Sequence, residues 1–273
     1  MSFINSQYYA DKGCKELFNV YREEWIGDFR FIEYEEFQLD KPSYLVVGLP
    51  DAGLVSVIAA SHMIKKLEAK EVGGIDSYYL PPVAIIHQGV PRPPIRIFAK
   101  ERVLIVYSEM LPPTNTIPAL VNALLDYAMR RGVDNVICMT GLPIPNRFEV
   151  ENLRSFFIPS TKRALEIGKN AGIQLFENGY LVGPYALLLK EAMRRRMNAI
   201  VLLTESFMEF PDPEASAKNL ELFSKISGIG IDVKELHEQA EVIRVRAREH
   251  MKRVLPGLAQ MRKEYEYAPP LYT

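Results

Sequence analysis

Short, fully apolar runs alternate along this chain with stretches in which apolar residues recur every three or four positions. The run at 44–47 is followed by a turn at 48–53 and then by helical spacing at 54–67. Residues 103–106 and 199–203 are further runs that predict buried strands. Apolar strands separated by amphipathic helices are typical of a mostly parallel sheet with helices on both faces. The pattern therefore predicts a three-layer α/β fold.

The pattern changes in two places, at residues 78–98 and after residue 210. Prolines and glycines punctuate residues 78–98, which predicts a hairpin or an excursion at the sheet edge. Beyond residue 210 only helical spacing remains. We therefore divide the chain into an α/β domain at 1–230, a C-terminal helical segment at 231–265 and a tail at 266–273.

The C-terminal helical segment has a narrow apolar stripe. From Asp232, a predicted N-cap, apolar residues fall three or four positions apart as far as Tyr265, and arginine or glutamate fills the opposite face. Pro256 followed by Gly257 is expected to kink or split this helix, because proline cannot donate the backbone hydrogen bond. A seam of this kind packs either on its own domain or on another subunit, and we expect a contribution to oligomerisation.

Composition excludes several classes of protein. Of the 273 residues 48% are hydrophobic and 25% charged, as in ordinary globular domains, and the formal charge is -1. A chain of this charge has no general attraction for nucleic acid or an anionic membrane. The two cysteines, Cys14 and Cys138, are too few for a disulfide framework, and Cys138 stands in an apolar run that predicts burial. Without a recognisable signal peptide or membrane span, we expect a cytoplasmic protein.

The turn between the first buried strand and its helix is the most enzyme-like feature. Gly48, Asp51 and Gly53 stand where many α/β proteins bind a phosphate, so they form a possible ligand turn. A Walker loop would continue with lysine and a hydroxyl residue, but Leu54 and Val55 follow, and the G-x-G-x-x-G spacing is absent. A tight turn for close helix–strand packing is the favoured interpretation.

Other candidate catalytic groups are sparse. Glu109 and Glu205 fall near the carboxyl ends of predicted strands, where paired acids could transfer protons, although each could equally cap a helix or face water. The four histidines share no metal-ligand spacing and no G-x-S-x-G elbow occurs. We expect no catalytic residues, metal or cofactor.

The end of the chain is unusually apolar and stiff. Tyr265, Tyr267, Pro269 and Pro270 precede a final triplet at 271–273, where solvated polar residues would be usual. The two prolines favour an extended segment and reduce the entropy that binding would cost. The composition of this end predicts a docking segment.

Three sequence blocks carry a resemblance to a known family. They are residues 47–55, residues 79–82 leading to 95–98, and residues 211–217. Their order and spacing over roughly residues 40–240 resemble the proteasome assembly chaperone family. This resemblance implies an α/β body similar to nucleoside phosphorylases, homo-oligomers among archaeal members and no established catalytic activity. Where the family tends to have a glycine-rich run, this chain has one glycine, Gly183, so an inherited small-molecule pocket is not expected.

The resemblance also gives the final triplet a role. Some members end in a hydrophobic-tyrosine-any motif that enters pockets between neighbouring α-subunits of the proteasome core particle. By resemblance Leu271 fills an apolar recess, Tyr272 packs and hydrogen-bonds at the pocket wall, and the carboxylate of Thr273 meets a lysine of the α-ring.

The sequence thus predicts a non-enzymatic, ATP-independent proteasome-binding protein that is an assembly chaperone or an activator of the core particle. Its expected partners are the α-ring and further copies of itself. Two alternatives stay open. One is a phosphorylase-like or hydrolase-like enzyme that uses the Gly48 to Gly53 turn with Glu109 or Glu205. The other is a homo-oligomeric scaffold for another partner protein.

Overall fold

The computed structural model describes residues 20–87, 89–263 and 266 of the chain. This part contains twelve strands and seven α-helices. The strands are β1 (Arg22–Ile26), β2 (Phe29–Glu33), β3 (Tyr44–Gly48), β4 (Lys70–Asp76), β5 (Ile85–His87), β6 (Val90–Arg92), β7 (Ile95–Lys100), β8 (Val103–Tyr107), β9 (Asn135–Pro143), β10 (Ser155–Pro159), β11 (Gln174–Leu175) and β12 (Asn198–Ser206). The helices are α1 (Val55–Lys66), α2 (Ile117–Arg130), α3 (Lys162–Asn170), α4 (Pro184–Arg194), α5 (Pro213–Ser227), α6 (Lys234–Glu238) and α7 (Ala240–Gln260).

Ten strands form one mixed sheet in the order β1-β2-β4-β7-β8-β3-β9-β12-β10-β11, and β5 pairs with β6 in the hairpin predicted between residues 78 and 98. The central strands β8, β3, β9 and β12 are parallel, as the apolar runs predict. The wing from β1 to β8 is antiparallel, so the prediction of a mostly parallel sheet is corrected to a mixed one. The reason is local, because β1–β2 and β7–β8 are joined by only two residues each, and such short turns cannot join parallel strands.

Helices cover both faces of the sheet, which confirms the three-layer α/β class. In β3, Leu45 and Val47 point into the core beneath α2 and α4, whereas Tyr44 and Val46 point into the core beneath α1 and α5. This period of two is the ordinary geometry of a strand that is buried on both faces. The parallel centre of the sheet is thus covered on both sides, and its carboxyl ends meet at one edge.

The C-terminal helical segment differs from its prediction. The helix is interrupted at Gln239, between α6 and α7, whereas Pro256 lies inside α7. Of the predicted kink or split at Pro256-Gly257, the split is therefore wrong. Gly257 has a packing reason instead: a Cβ there would lie 2.5 Å from Cδ2 of Leu111. Glycine therefore lets the last turns of α7 approach the loop after β8.

The apolar seam of α7 packs on its own domain. Met251, Val254 and Leu258 are buried in the core that α1 and α5 also cover. Beyond the helix Arg262 has φ 56°, a left-handed conformation that ends the helical path and turns the chain. No helix within the described ranges combines the length and hydrophobicity that would cross a bilayer.

Candidate functional site

The turn between β3 and α1 is packed so closely that its two glycines have no room for a side chain. A Cβ on Gly48 would lie 2.5 Å from the Cβ of Ala60, and one on Gly53 would lie 3.0 Å from the carbonyl oxygen of Phe207. Gly53 also has φ 61°, a conformation that glycine adopts at least cost. Close packing and backbone conformation thus explain both glycines of the possible ligand turn.

Asp51, the charged residue of that turn, is fully buried and its carboxylate is occupied by groups of the same chain. Thr140 Oγ1 donates to Oδ2 at 2.5 Å, and the Nζ of Lys263 lies 2.9 Å from Oδ2 and 2.8 Å from Oδ1. The site is at the carboxyl ends of the parallel strands, where ligands bind in open α/β sheets. The position is the predicted one, but it holds a lysine from the C-terminal segment.

Lys263 fills the crevice between Asp51 and the backbone at Val182. Its side chain is fully buried, and its ammonium also donates to the carbonyl oxygen of Val182 at 2.9 Å and contacts Glu266. Burial pulls the pKa of Lys263 down, but the carboxylates of Asp51 and Glu266 outweigh burial and raise that pKa above its ordinary value. A Cβ on Gly183 would lie 4.0 Å from the same Nζ, so the segment packs against the start of α4.

Glu266, at the end of the described chain, completes the group. It is fully buried, and burial raises its pKa to about 8 despite the lowering influence of Lys263. Burial therefore favours the protonated form of Glu266, which lies beside the salt bridge between Asp51 and Lys263. Lys263, Asp51 and Glu266 are called the Lys263 cluster below.

A buried tyrosine satisfies the backbone around the turn. Tyr185, on α4, accepts a hydrogen bond from the backbone N–H of Leu49 at 3.0 Å. Its hydroxyl lies 3.1 Å from the carbonyl oxygen of Val47 and 3.0 Å from that of Leu49, to either of which it can donate. Burial raises the pKa of Tyr185 well above its ordinary value, so the hydroxyl keeps its proton as a donor.

The third sequence block packs directly against the first. Asp212 caps α5 by accepting from the backbone N–H of Ala215 at 3.1 Å, and it also accepts from that of Phe207 at 3.2 Å. Its own backbone N–H donates to the carbonyl oxygen of Gly53 at 2.8 Å. The two blocks therefore form one structural unit at the carboxyl edge of the sheet.

A second ion cluster holds this unit together. Arg147 donates to Asp212 through Nε at 2.8 Å and through Nη2 at 3.0 Å, and Nη2 also contacts Glu214 at 2.5 Å. Asp212 is fully buried, whereas 44% of the Glu214 side chain is exposed. Arg147, Asp212 and Glu214 are called the Arg147 cluster below.

The two glutamates proposed for proton transfer have separate partners. Glu109 lies 3.5 Å from Arg96 and accepts from the hydroxyl of Tyr107 at 3.0 Å. Glu205 is buried and accepts from the side chain of Arg154 at 2.7 Å and from its backbone N–H at 2.9 Å. Each carboxylate thus has its own arginine, and this geometry gives no support to a shared catalytic role.

Cys138 and His62 serve the fold. Cys138 is fully buried as expected, and burial raises the pKa of its thiol. His62 lies 2.7 Å from the carbonyl oxygen of Asp232 and so ties α1 to the start of the C-terminal helices. No cluster of three or more histidine, cysteine or acidic side chains suited to a metal ion occurs among the residues that the structure describes.

Comparison with known proteins identifies the family to which this architecture belongs. The model of the PAC2 family matches residues 45–251. The chain belongs to the PAC2 family. This membership confirms the resemblance that the three sequence blocks carry.

Solved PAC2-like structures agree with the fold. A Pyrococcus furiosus protein, PbaA, described as an archaeal homologue of proteasome-assembly chaperone, superimposes with a TM-score of 0.77 at 26% identity, over 84% of this chain and 98% of that one. PbaB from the same organism, described as an archaeal proteasome activator, has a TM-score of 0.69 at 24% identity, over 82% and 99% of the two chains. A curated relative, the uncharacterized protein MJ0106 of Methanocaldococcus jannaschii, is 25% identical over 90% of this chain and 99% of its own length.

The candidate residues of the tail, Leu271, Tyr272 and Thr273, lie outside the described residues. Sequence reasoning missed Lys263 and Glu266, which are both buried near the end of the described chain. The available signal was an acidic residue in a turn without a basic partner nearby. That signal points to a cation but does not say where in the chain it lies.

Proposed function

We propose that this chain is a non-enzymatic, ATP-independent partner of the proteasome core particle that acts as an assembly chaperone or as an activator. It docks on the α-ring through Leu271, Tyr272 and Thr273. Similarity to PbaA along nearly the whole described body, within the PAC2 family, is the observation that carries this proposal. The final triplet adds a means of docking.

The chemistry of the triplet suits a pocket between two protein subunits. Leu271 offers an apolar side chain, Tyr272 a ring with a hydrogen-bonding hydroxyl, and Thr273 a carboxylate for a basic partner. A segment of this size buries little area and binds weakly alone. Several tails on one oligomer gain affinity through effective concentration, so the proposal includes a homo-oligomer.

The surface near strand β1 supports self-association. Trp25 on β1 and Tyr78 stack with their ring centroids 5.7 Å apart, and 88% of Tyr78 is exposed. β1 is also the last strand of the sheet on that side among the described strands. Exposed aromatic side chains at a sheet edge are suited to burial against a second copy of the chain.

The filled crevice supports a non-enzymatic role. Asp51, the acidic group at the ligand-binding end of the sheet, already binds Thr140 and Lys263. An enzyme that used this turn would need to displace the C-terminal segment before each substrate could enter. No described contact supplies a reason for such a cycle, and we assign no catalytic residue.

Binding to purified core particle tests the docking. The mass of the complex is measured by analytical ultracentrifugation for the wild-type protein, for Tyr272→Ala and for a variant that lacks residues 271–273. Both changes should abolish the complex, whereas Tyr267→Ala, which removes a tyrosine outside the triplet, should keep it. Unchanged binding by the Tyr272→Ala and truncated proteins would refute tail docking.

A peptide-hydrolysis assay separates the two forms of the proposal. An activator should raise hydrolysis of a short fluorogenic peptide by mature core particle, and Tyr272→Ala should remove the increase. An assembly chaperone should leave that rate unchanged and should speed formation of α-rings from separate subunits.

A further inference from the structure

We propose that Lys263 is a positioning residue for the docking tail, because its side chain fixes the chain to the crevice beside Asp51 just before residues 267–273 begin. The tail then starts from one fixed point on the body of every subunit. This role rests on the proposed function, and its tests below also have a readout that does not involve the proteasome.

The path of the chain makes this contact possible. α7 ends at Gln260, and Arg262 adopts φ 56°, which no further turn of helix can follow. The reversal directs Lys263 inward, where it meets Asp51, a residue 212 positions earlier in the sequence. The end of α7 is therefore joined to the turn that follows β3.

The ammonium group of Lys263 has a full set of partners. An ammonium has three N–H donors, and here its neighbours are the carboxylate of Asp51, the carbonyl oxygen of Val182 and the carboxyl group of Glu266. A buried cation is costly unless such partners are in place. The fit is thus specific to this position of the chain and does not resemble a loosely packed terminus.

Chain length shows what the contact does for the tail. From Glu266 to Leu271 there are about five residue steps, which span at most about 18 Å. If the segment were released, the last fixed residue would be Gln260, and the free chain would lengthen to about eleven steps. Because effective concentration falls as about the −3/2 power of length, release lowers it about threefold per tail and about tenfold when two tails engage.

The first test measures the motion of the tail without any partner. A dye is attached to Ala268→Cys in a Cys14→Ser background, where Cys138 is protected by burial. In the parent protein the dye should keep a high residual anisotropy on the nanosecond scale. Lys263→Glu, which sets a third acidic group among the others, should lower it, as should Lys263→Met, which keeps the stem but removes the charge.

The matched control is Lys252→Glu, the same change on the exposed face of α7, where 61% of the side chain is exposed. It should leave the anisotropy at the parent value. Circular dichroism of each variant establishes that the body is folded. Parent-like anisotropy in folded Lys263→Glu and Lys263→Met proteins would overturn the positioning role.

The second test measures binding to core particle. Lys263→Glu should weaken the apparent affinity of the oligomer for core particle about tenfold. A free peptide of residues 267–273 does not contain residue 263, and its weak affinity gives the reference value for a single tail. Unchanged affinity in Lys263→Glu would overturn the positioning role even if Tyr272→Ala abolishes binding. If Tyr272→Ala binds normally, tail docking fails, and the anisotropy still decides whether Lys263 fixes the segment.

Discussion

The Lys263 cluster and the Arg147 cluster both bury a carboxylate against a cation at the same edge of the sheet, yet they differ in where the cation stands in the chain. Arg147 lies between β9 and β10, so the chain on both of its sides is tied into the sheet. Lys263 follows the last helix of the described chain, and Glu266 is the one described residue beyond it.

This difference decides how each cluster can fail. When a charged residue between two strands loses its partner, it stays buried unless the whole domain unfolds, so the free energy of unfolding of the whole domain falls. A charge near a terminus can reach water when its segment detaches, so the cost is limited to local unfolding. The Arg147 cluster is therefore expected to stabilise the fold, and the Lys263 cluster to hold a segment in place.

The largest expected effect is that of Asp212→Ala. It removes the partner of the buried Arg147, which should lower the free energy of unfolding by about 3–5 kcal/mol, and it removes the cap of α5, worth about 1 kcal/mol more. Denaturant unfolding measures the loss. Glu214→Ala, at the exposed rim of the same cluster, is the control and should cost less than about 1 kcal/mol. Equal losses in the two variants would contradict this view of the cluster.

A smaller global effect is expected from Asp51→Asn. The amide still accepts from Thr140, but Lys263 loses its charged partner and the segment detaches. The free energy of unfolding should therefore fall by only about 1–2 kcal/mol. Hydrogen exchange should then quicken at residues 258–263 and stay slow in β3 and β9. A loss as large as that of Asp212→Ala, with uniform exchange, would place Lys263 among the determinants of the whole fold.

The third effect is a pH dependence from Glu266, and its cost to the whole fold is limited because the segment that carries Glu266 can detach. Its pKa is raised from 4.5 to about 8 in the folded protein, so its stabilising contribution is complete below pH 4.5 and is lost as the pH rises through 8. Ionisation then places a second negative charge beside Asp51, with only Lys263 to offset both. The pKa of Lys263 is raised as well, but that contribution is lost only in alkaline solution beyond this window.

The comparison with Glu266→Gln isolates this group. Between pH 5 and pH 9 the parent protein should lose stability relative to the variant, and the tail dye should become more mobile in the parent alone. A parallel pH dependence in the two proteins would show that Glu266 is not the group that titrates.

The sequence predicts the centre of the fold well because burial there is continuous. β3, β8 and β12 lie under helices on both faces, so their apolar runs are unmistakable. The antiparallel wing was missed because its turns give little signal, and Glu101, in the β7–β8 turn, adopts φ 48° without being glycine. Turn type at such a position depends on pairing that only the folded sheet provides.

The position of Asp51 in the fold follows from the sequence, since a turn after a buried strand lies at the carboxyl edge of the sheet. The position of Lys263 does not, because a lysine just after a helix rich in arginine and glutamate normally faces water. Its burial depends on partners far away in the sequence, Asp51 and Val182, and no local pattern contains them.

The central claim is that Lys263 fills the crevice beside Asp51 and fixes the C-terminal segment there. Reductive methylation of the native protein, followed by mass spectrometry of its peptides, tests this directly, because only lysines that reach water react. Lys65 and Lys252, whose side chains are 64% and 61% exposed, should be methylated rapidly while Lys263 stays unmodified, and Asp51→Asn should make Lys263 reactive. Methylation of Lys263 in the parent protein as fast as that of Lys252 would contradict the claim.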